Sequence, residues 1–184
     1  MNSQEALDQL LSGNQRYISG QTTSYNPPSA RAALVAGQFP IAAVIRCADS
    51  RVAPEIIFDQ PLGKLFVCGV AGNIPTPEIV QSLDFAVQAL GVSLIVVMGH
   101  TQCSAVKAAA ENEFPEGIFA QIALTPDPDI NETIAYNCEQ GIDTILNRSQ
   151  FIEQGVKAGG IQIVAGVLEI ETGEFELVAK TQLS

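Results

Sequence analysis

Histidine is almost missing from this chain: His100 is the only one among 184 residues. A metal site built from imidazoles alone is thereby excluded, because two of its ligands would have no source. Basic side chains are also scarce, with nine Lys and Arg against twenty Asp and Glu and a net charge of -11. No Lys/Arg cluster offsets that acidity, so attraction to nucleic-acid phosphates or to anionic lipid is not expected. No apolar run approaches the ~20 residues that span a bilayer. The opening MNSQEALDQL lacks the basic start and apolar stretch of a secretory leader, and the expected location is the cytoplasm. Repeats, low-complexity tracts and linkers are absent as well. The expectation is one domain over residues 1–184, with 47% hydrophobic residues to close its core.

Cysteine is present in moderation, at Cys47, Cys68, Cys103 and Cys138. In a short secreted chain such a set would point to disulfides, but here reduced thiols are expected. A free thiol is by default a small buried hydrophobe and otherwise a metal ligand, and position decides between them.

Hydrophobic spacing predicts the elements. Ser3 to Gly20 reads as an amphipathic helix, with Ala6, Leu7, Leu10, Leu11, Tyr17 and Ile18 on one face. A polar connection from Gln21 to Gln38 runs through Pro27-Pro28 and a short helical segment. The runs Ile41 to Ile45 and Leu65 to Cys68 suit buried strands, the second breaking into a turn over Gly69 to Asn73. Thr76-Pro77-Glu78 starts a helix that Gly91 stops. Leu94 to Met98 is apolar throughout, like a central parallel strand, and leads through His100 into a helix over Ser104 to Glu113. Phe114 to Asp129 is loop-like, Asn131 to Asn147 and Gln150 to Ala158 are helical, and Ile161 to Ile170 forms a hairpin with Phe175 to Lys180. The fold class is therefore α/β: a mostly parallel open sheet, helices on both faces, and a C-terminal edge strand added antiparallel. The apolar face of the first helix is expected to pack on a partner subunit.

In open sheets of this kind, ligands bind beyond the carboxyl ends of the strands, where the winding reverses. Cys47 and the pair His100 and Cys103 leave different strands at that edge. An H-x-x-C spacing alone carries little information. Joined by a second thiol, it gives a soft nitrogen and sulfur set suited to zinc, with one tetrahedral position free. Asp49 can fill that position or accept a hydrogen bond from water there, and Arg51 can pair with Asp49.

CADSRV followed by APEIIFDQ, LGKLFV, VAGN, the LDFAV helix and VMGHTQCSAV resembles the β-class carbonic anhydrases, nearest the plant-type subclass. The similarity runs from NQRY in the first helix to GVLEIETG near the end. The resemblance implies zinc held by Cys47, His100 and Cys103, with Asp49 and Arg51 as the catalytic dyad and Asp49 as fourth ligand in a closed state. It implies reversible hydration of carbon dioxide to bicarbonate and a proton by a zinc-bound hydroxide. It further implies a homodimer or dimer of dimers, with Gln38 donated across the interface to a substrate pocket walled by Phe66, Ala71 and Phe85. By themselves Phe66 and Phe85 read equally well as core, and Gln38 as a solvated loop residue.

The chain departs from the family pattern in places. Gly69 stands where an arginine is usual, which removes a cation near the subunit interface. Gln102 and Ser104 replace glycines beside the ligands, and the tyrosines common at Phe85 and Leu168 are missing. Cys68 and Cys138 read as packing. Two other functions remain open at this level: a zinc hydrolase of carbonyl sulfide or carbon disulfide, and a non-catalytic interaction module in which Asp49 closes a structural zinc site.

Overall fold

The computed structural model describes residues 1–23, 30–126 and 129–182; Pro27, Pro28 and Pro128, assigned to connections, lie outside them. Chain order is α1 (Ser3–Ile18), α2 (Ala30–Leu34), β1 (Ala42–Arg46), α3 (Pro54–Ile57), β2 (Leu65–Gly69), α4 (Pro77–Leu90) and β3 (Leu94–His100). Then follow α5 (Ser104–Ala110), α6 (Ile130–Arg148), α7 (Gln150–Lys157), β4 (Gln162–Leu168) and β5 (Phe175–Lys180). Short 3-10 turns occupy Ala71–Asn73 and Phe119–Gln121. Among the described residues no helix is long and apolar enough to cross a membrane.

The strands form one five-stranded sheet in the order β2-β1-β3-β4-β5. The first four run parallel and β5 pairs antiparallel with β4, as the hydrophobic runs predict. β3 is buried along its whole length, which is why its sequence shows no alternation. α4 begins where expected: the Thr76 side chain accepts the Ile79 amide, Pro77 needs no partner for an N–H, and Gly91 closes the helix in the left-handed region at φ 70°. The one-turn helix α3 was not expected. Pro54 starts it without a side-chain cap, and one turn is too short to leave a period in the sequence.

The chain steps from β1 to β2 in one direction and from β1's other side to β3 in the opposite one. The winding therefore reverses between β1 and β3, and the carboxyl ends of these two strands frame a crevice. Alternate strand residues feed two cores. Val44, Val96 and Val164 pack under α1 and α5, and Ile45, Ile95 and Ile163 pack under α4, α6 and α7.

The α1 expectation needs correction. Ala6, Leu7 and Leu10 are buried in the same core as Val44 and Phe58, so the apolar face is covered by its own chain. Asn14 locks the helix down: its Nδ2 donates to the carbonyls of Ile57 at 3.2 Å and Gly173 at 2.8 Å, and its Oδ1 accepts the Phe175 amide at 2.9 Å. Amphipathic spacing reports that a surface is needed but not whose.

One contact sets how β3 delivers His100. A Cβ on Gly99 would lie 2.4 Å from the Cys138 sulfur, because α6 seats that fully buried thiol on the strand at this point. Burial pushes the Cys138 thiol up to about 12, so it stays protonated and serves as packing. Gly99→Ala is expected to destabilise the protein by about 1–3 kcal/mol through overpacking. Adding Cys138→Ala should recover part of that loss, as measured by urea unfolding of the single and double variants.

Candidate metal centre

Cys47 is the first residue after β1, His100 the last of β3, and Cys103 the N-cap of α5. The register that pairs Arg46 with Met98 brings these strand ends side by side. All three residues are buried, and their ligating atoms lie within 4.8 Å of one another. The sulfurs of Cys47 and Cys103 are 3.9 Å apart.

His100 is oriented by its neighbour. Its Nδ1 lies 2.8 Å from the Thr101 carbonyl, which can only accept, so Nδ1 carries the proton in the neutral ring. The lone pair is left on Nε2, a buried atom with no hydrogen-bond partner. A nitrogen lone pair facing sulfur donors in a dry pocket is a penalty in the bare chain and a ligand set when a soft cation is present. Thr101 is itself fixed: its amide donates to the Leu168 carbonyl at 2.9 Å, and its hydroxyl donates to Glu169 at 2.8 Å while accepting the Ile170 amide at 3.0 Å.

The two thiols are within hydrogen-bonding reach of each other. Each faces the other, and hydrogen bonding from Cys103 drives the Cys47 thiol down towards its thiolate, aided by His100 and by the Gly72 amide at 3.3 Å. The same contact, reinforced by burial, pushes Cys103 up. Burial works against a charged His100, yet the Cys47 sulfur and the Thr101 carbonyl outweigh it and raise its pKa. A cation bound by these groups would compete with protons for the thiols.

Beside this cluster Arg51 grips Asp49 in a fork. Its Nε donates to Oδ1 at 3.0 Å, its Nη2 to Oδ2 at 2.8 Å, and its backbone N–H to Oδ1 at 2.9 Å. Hydrogen bonding from Arg51 holds the Asp49 carboxyl well below the usual carboxylate range. Arg51 is anchored in turn on the Gln102 carbonyl at 3.3 Å. Oδ2 of Asp49 stands 3.8 Å from His100 Nε2, so an ionised carboxylate borders the open side of the cluster.

The other predicted residues separate. Ala71 is close, since the next residue, Gly72, donates to Cys47. Phe66 pairs in register with Ala43 and stacks at 6.3 Å on Phe85 over the α4 core, on the opposite face from Cys47 and Cys103. Gln38 precedes β1, at the other edge of the sheet from Cys47. Within one chain neither the aromatic pair nor the amide reaches the cluster.

Two departures acquire a physical reading. Arg46 pairs with Gly69 across β1 and β2, and its Nε lies 3.4 Å from where a Gly69 Cβ would be. Its Nη1 donates to the Cys47 carbonyl at 2.7 Å. Gly69 itself carries no cation, while the Arg46 side chain runs alongside it from the neighbouring strand. Gln102 sits at φ 56°, a left-handed conformation costing a side chain about 1–2 kcal/mol, which accounts for the glycine usual there. The side chains of Gln102 and Ser104 are exposed. The sequence pattern carried no sign of the Thr101 carbonyl or the Gly72 amide, because main-chain donors and acceptors belong to every residue.

Comparison with known proteins gives this geometry a family. The family model for carbonic anhydrase matches residues 42–175. A carbonic anhydrase from Mycolicibacterium smegmatis is 36% identical over 184 residues, covering 91% of this chain and 89% of that protein. Carbonic anhydrase 2 of Mycobacterium tuberculosis is 33% identical over 186 residues, with the same 91% and 89% coverage. Among solved structures, the β-carbonic anhydrase CcaA superposes with a TM-score of 0.72 at 25% identity, covering 94% of this chain and 87% of that one. A tetrameric β-carbonic anhydrase of Sordaria macrospora shares the fold at a TM-score of 0.73 and 21% identity, covering 97% and 100%. The chain belongs to the β-carbonic anhydrase family and is an enzyme of the lyase class.

Proposed function

We propose that Cys47, His100 and Cys103 hold zinc and that the protein interconverts carbon dioxide with bicarbonate and a proton. The observation that carries this reading is the partnerless Nε2 of His100 facing two thiols beside an arginine-held carboxylate. When bound there, zinc supplies a water of pKa lowered from about 15.7 towards 7, a nucleophile available at neutral pH. The chain's own residues do the rest. Thr101 keeps the Nδ1 proton on His100, so the ring presents Nε2 to the pocket. Asp49, held ionised by Arg51, would accept a hydrogen bond at its carboxylate and so orient the oxygen nucleophile that zinc would supply. Letting go of Arg51 would allow Asp49 to close the site as a fourth ligand.

Carbon dioxide is apolar, and within the chain Ala71 offers it an apolar wall. In this reading the chain forms a homodimer or a dimer of dimers, with Gln38 reaching the pocket of its partner. Strand β2 is a sheet edge, and Phe39 and Phe85 near it are 68% and 52% exposed. A single domain over 1–184, acting in the cytoplasm, fits the four cysteines, all of them free thiols.

Thiol ligation has a measurable consequence. Zinc added to metal-free protein is expected to release about one proton or more per site, and apparent affinity should rise with pH, because Cys103 must ionise to bind. Calorimetry in buffers of different ionisation heat reads the proton count. Cys47→Ser, His100→Ala and Cys103→Ser should each lose most of the zinc, and full occupancy in all three would refute the ligand assignment. The dyad should behave differently. Asp49→Asn and Arg51→Ala are expected to retain zinc while carbon dioxide hydration falls by about 10–100-fold, measured by stopped flow on metal-analysed samples.

A further inference from the structure

Two thiolates give a metal more charge than imidazoles do, and so weaken its pull on a water molecule. The chain contains a counterweight on the far side of Cys47. Gly72 donates its amide to the Cys47 sulfur at 3.3 Å, and such a bond withdraws charge from the sulfur. The 3-10 turn that carries Gly72 consists of Ala71, Gly72 and Asn73, with Gly72 at φ 77° and ψ 16°, and is closed by one main-chain bond from the Asn73 amide to the Val70 carbonyl at 3.1 Å. A second hold comes from α6. Asn137, only 5% exposed, donates from Nδ2 to the Gly72 carbonyl at 3.0 Å. Its orientation is unambiguous, because the Ala123 amide donates to the other end of the side chain, Oδ1, at 3.0 Å. The same segment braces the turn: a Cβ on Gly72 would lie 2.9 Å from Ile122 Cδ1.

We propose that Asn137 is a positioning residue for the metal centre, holding the Gly72 carbonyl so that the Gly72 amide is aimed at the Cys47 sulfur and limits its donation to a bound metal. The inference rests on the reading of Cys47, His100 and Cys103 as a metal site. It assigns a function to a buried amide that no sequence motif singles out, located more than thirty residues beyond Cys103 in the chain.

Cobalt(II) in place of zinc makes the sulfur's electron density visible as a sulfur-to-metal absorption band. In Asn137→Asp, which puts an acceptor where the donor was, and in Asn137→Ser, whose hydroxyl is too short to reach, that band should move to longer wavelength. Carbon dioxide hydration should fall by about 10-fold with one metal still bound. Asn14→Ser, which breaks comparably buried hydrogen bonds from α1 to α3 and to the β4–β5 turn, should leave the band in place and so separates positioning from general loosening. In cadmium-113-loaded unsubstituted protein, the Gly72 amide proton should show scalar coupling to the metal through Cys47, and the coupling should shrink in either Asn137 variant. An uncoupled Gly72 proton, or a cobalt band that ignores Asn137 in a folded variant, overturns the inference alone. Failure of the unsubstituted protein to bind cobalt overturns the metal reading and this inference with it.

Discussion

The site depends on one pairing, that of β1 with β3. Because Arg46 stands opposite Met98, the residue that follows β1 and the residue that ends β3 emerge together at the sheet's carboxyl edge. A slip of one residue would turn every side chain of the strand to the other face. Val44 would then leave the α1 side and Ile45 the α4 side, so the two cores police the register that the cluster needs. Burying each set of branched aliphatic side chains stabilises by about 1.5–3 kcal/mol per residue, well above the energy of any single contact in the site. The hydrophobic cores thus define the position of chemistry in which they take no part.

What the cores deliver is then tuned by the main chain. The Thr101 carbonyl fixes the tautomer of His100, the Gly72 amide meets the Cys47 sulfur, and the Gln102 carbonyl steadies Arg51. Each bond is worth about 1 kcal/mol in stability, yet each sets a direction or a charge on which reactivity depends more steeply. Anchoring these three groups explains features that look incidental one at a time. Thr101 is tied to Glu169 on the next strand's exit, and Gln102 takes a left-handed backbone just before Cys103 at the start of α5.

Legibility of the sequence followed the physical range of each interaction. α4 was readable to the residue because Thr76, Pro77 and Gly91 act within one turn of themselves. The parallel sheet was readable because its strands are apolar on both faces. Cys47, His100 and Cys103 were visible as residue types at strand ends, though only the β1–β3 register brings them together. α3 left no period to find. The fate of α1 was misread because the pattern Ala6, Leu7, Leu10 demands burial without naming the surface, and Asn14 settles that question through residues far along the chain. Likewise, nothing local to Gly69 shows that Arg46 covers it from the neighbouring strand.

Phe66, Phe85 and Gln38 lie away from the cluster within one chain. The same sheet that places the cluster puts the two aromatic rings on its other face and Gln38 ahead of β1 rather than after it. Carbon dioxide hydration by a site centred on Cys47, His100 and Cys103 is the claim on which the functional account stands. Its most direct test is a stopped-flow hydration assay in which metal-free protein is titrated with zinc. The account predicts activity that is absent without metal, rises in proportion to added zinc and stops rising at about one equivalent per chain. Hydration unaffected by zinc, or no hydration with the metal fully bound, would contradict it.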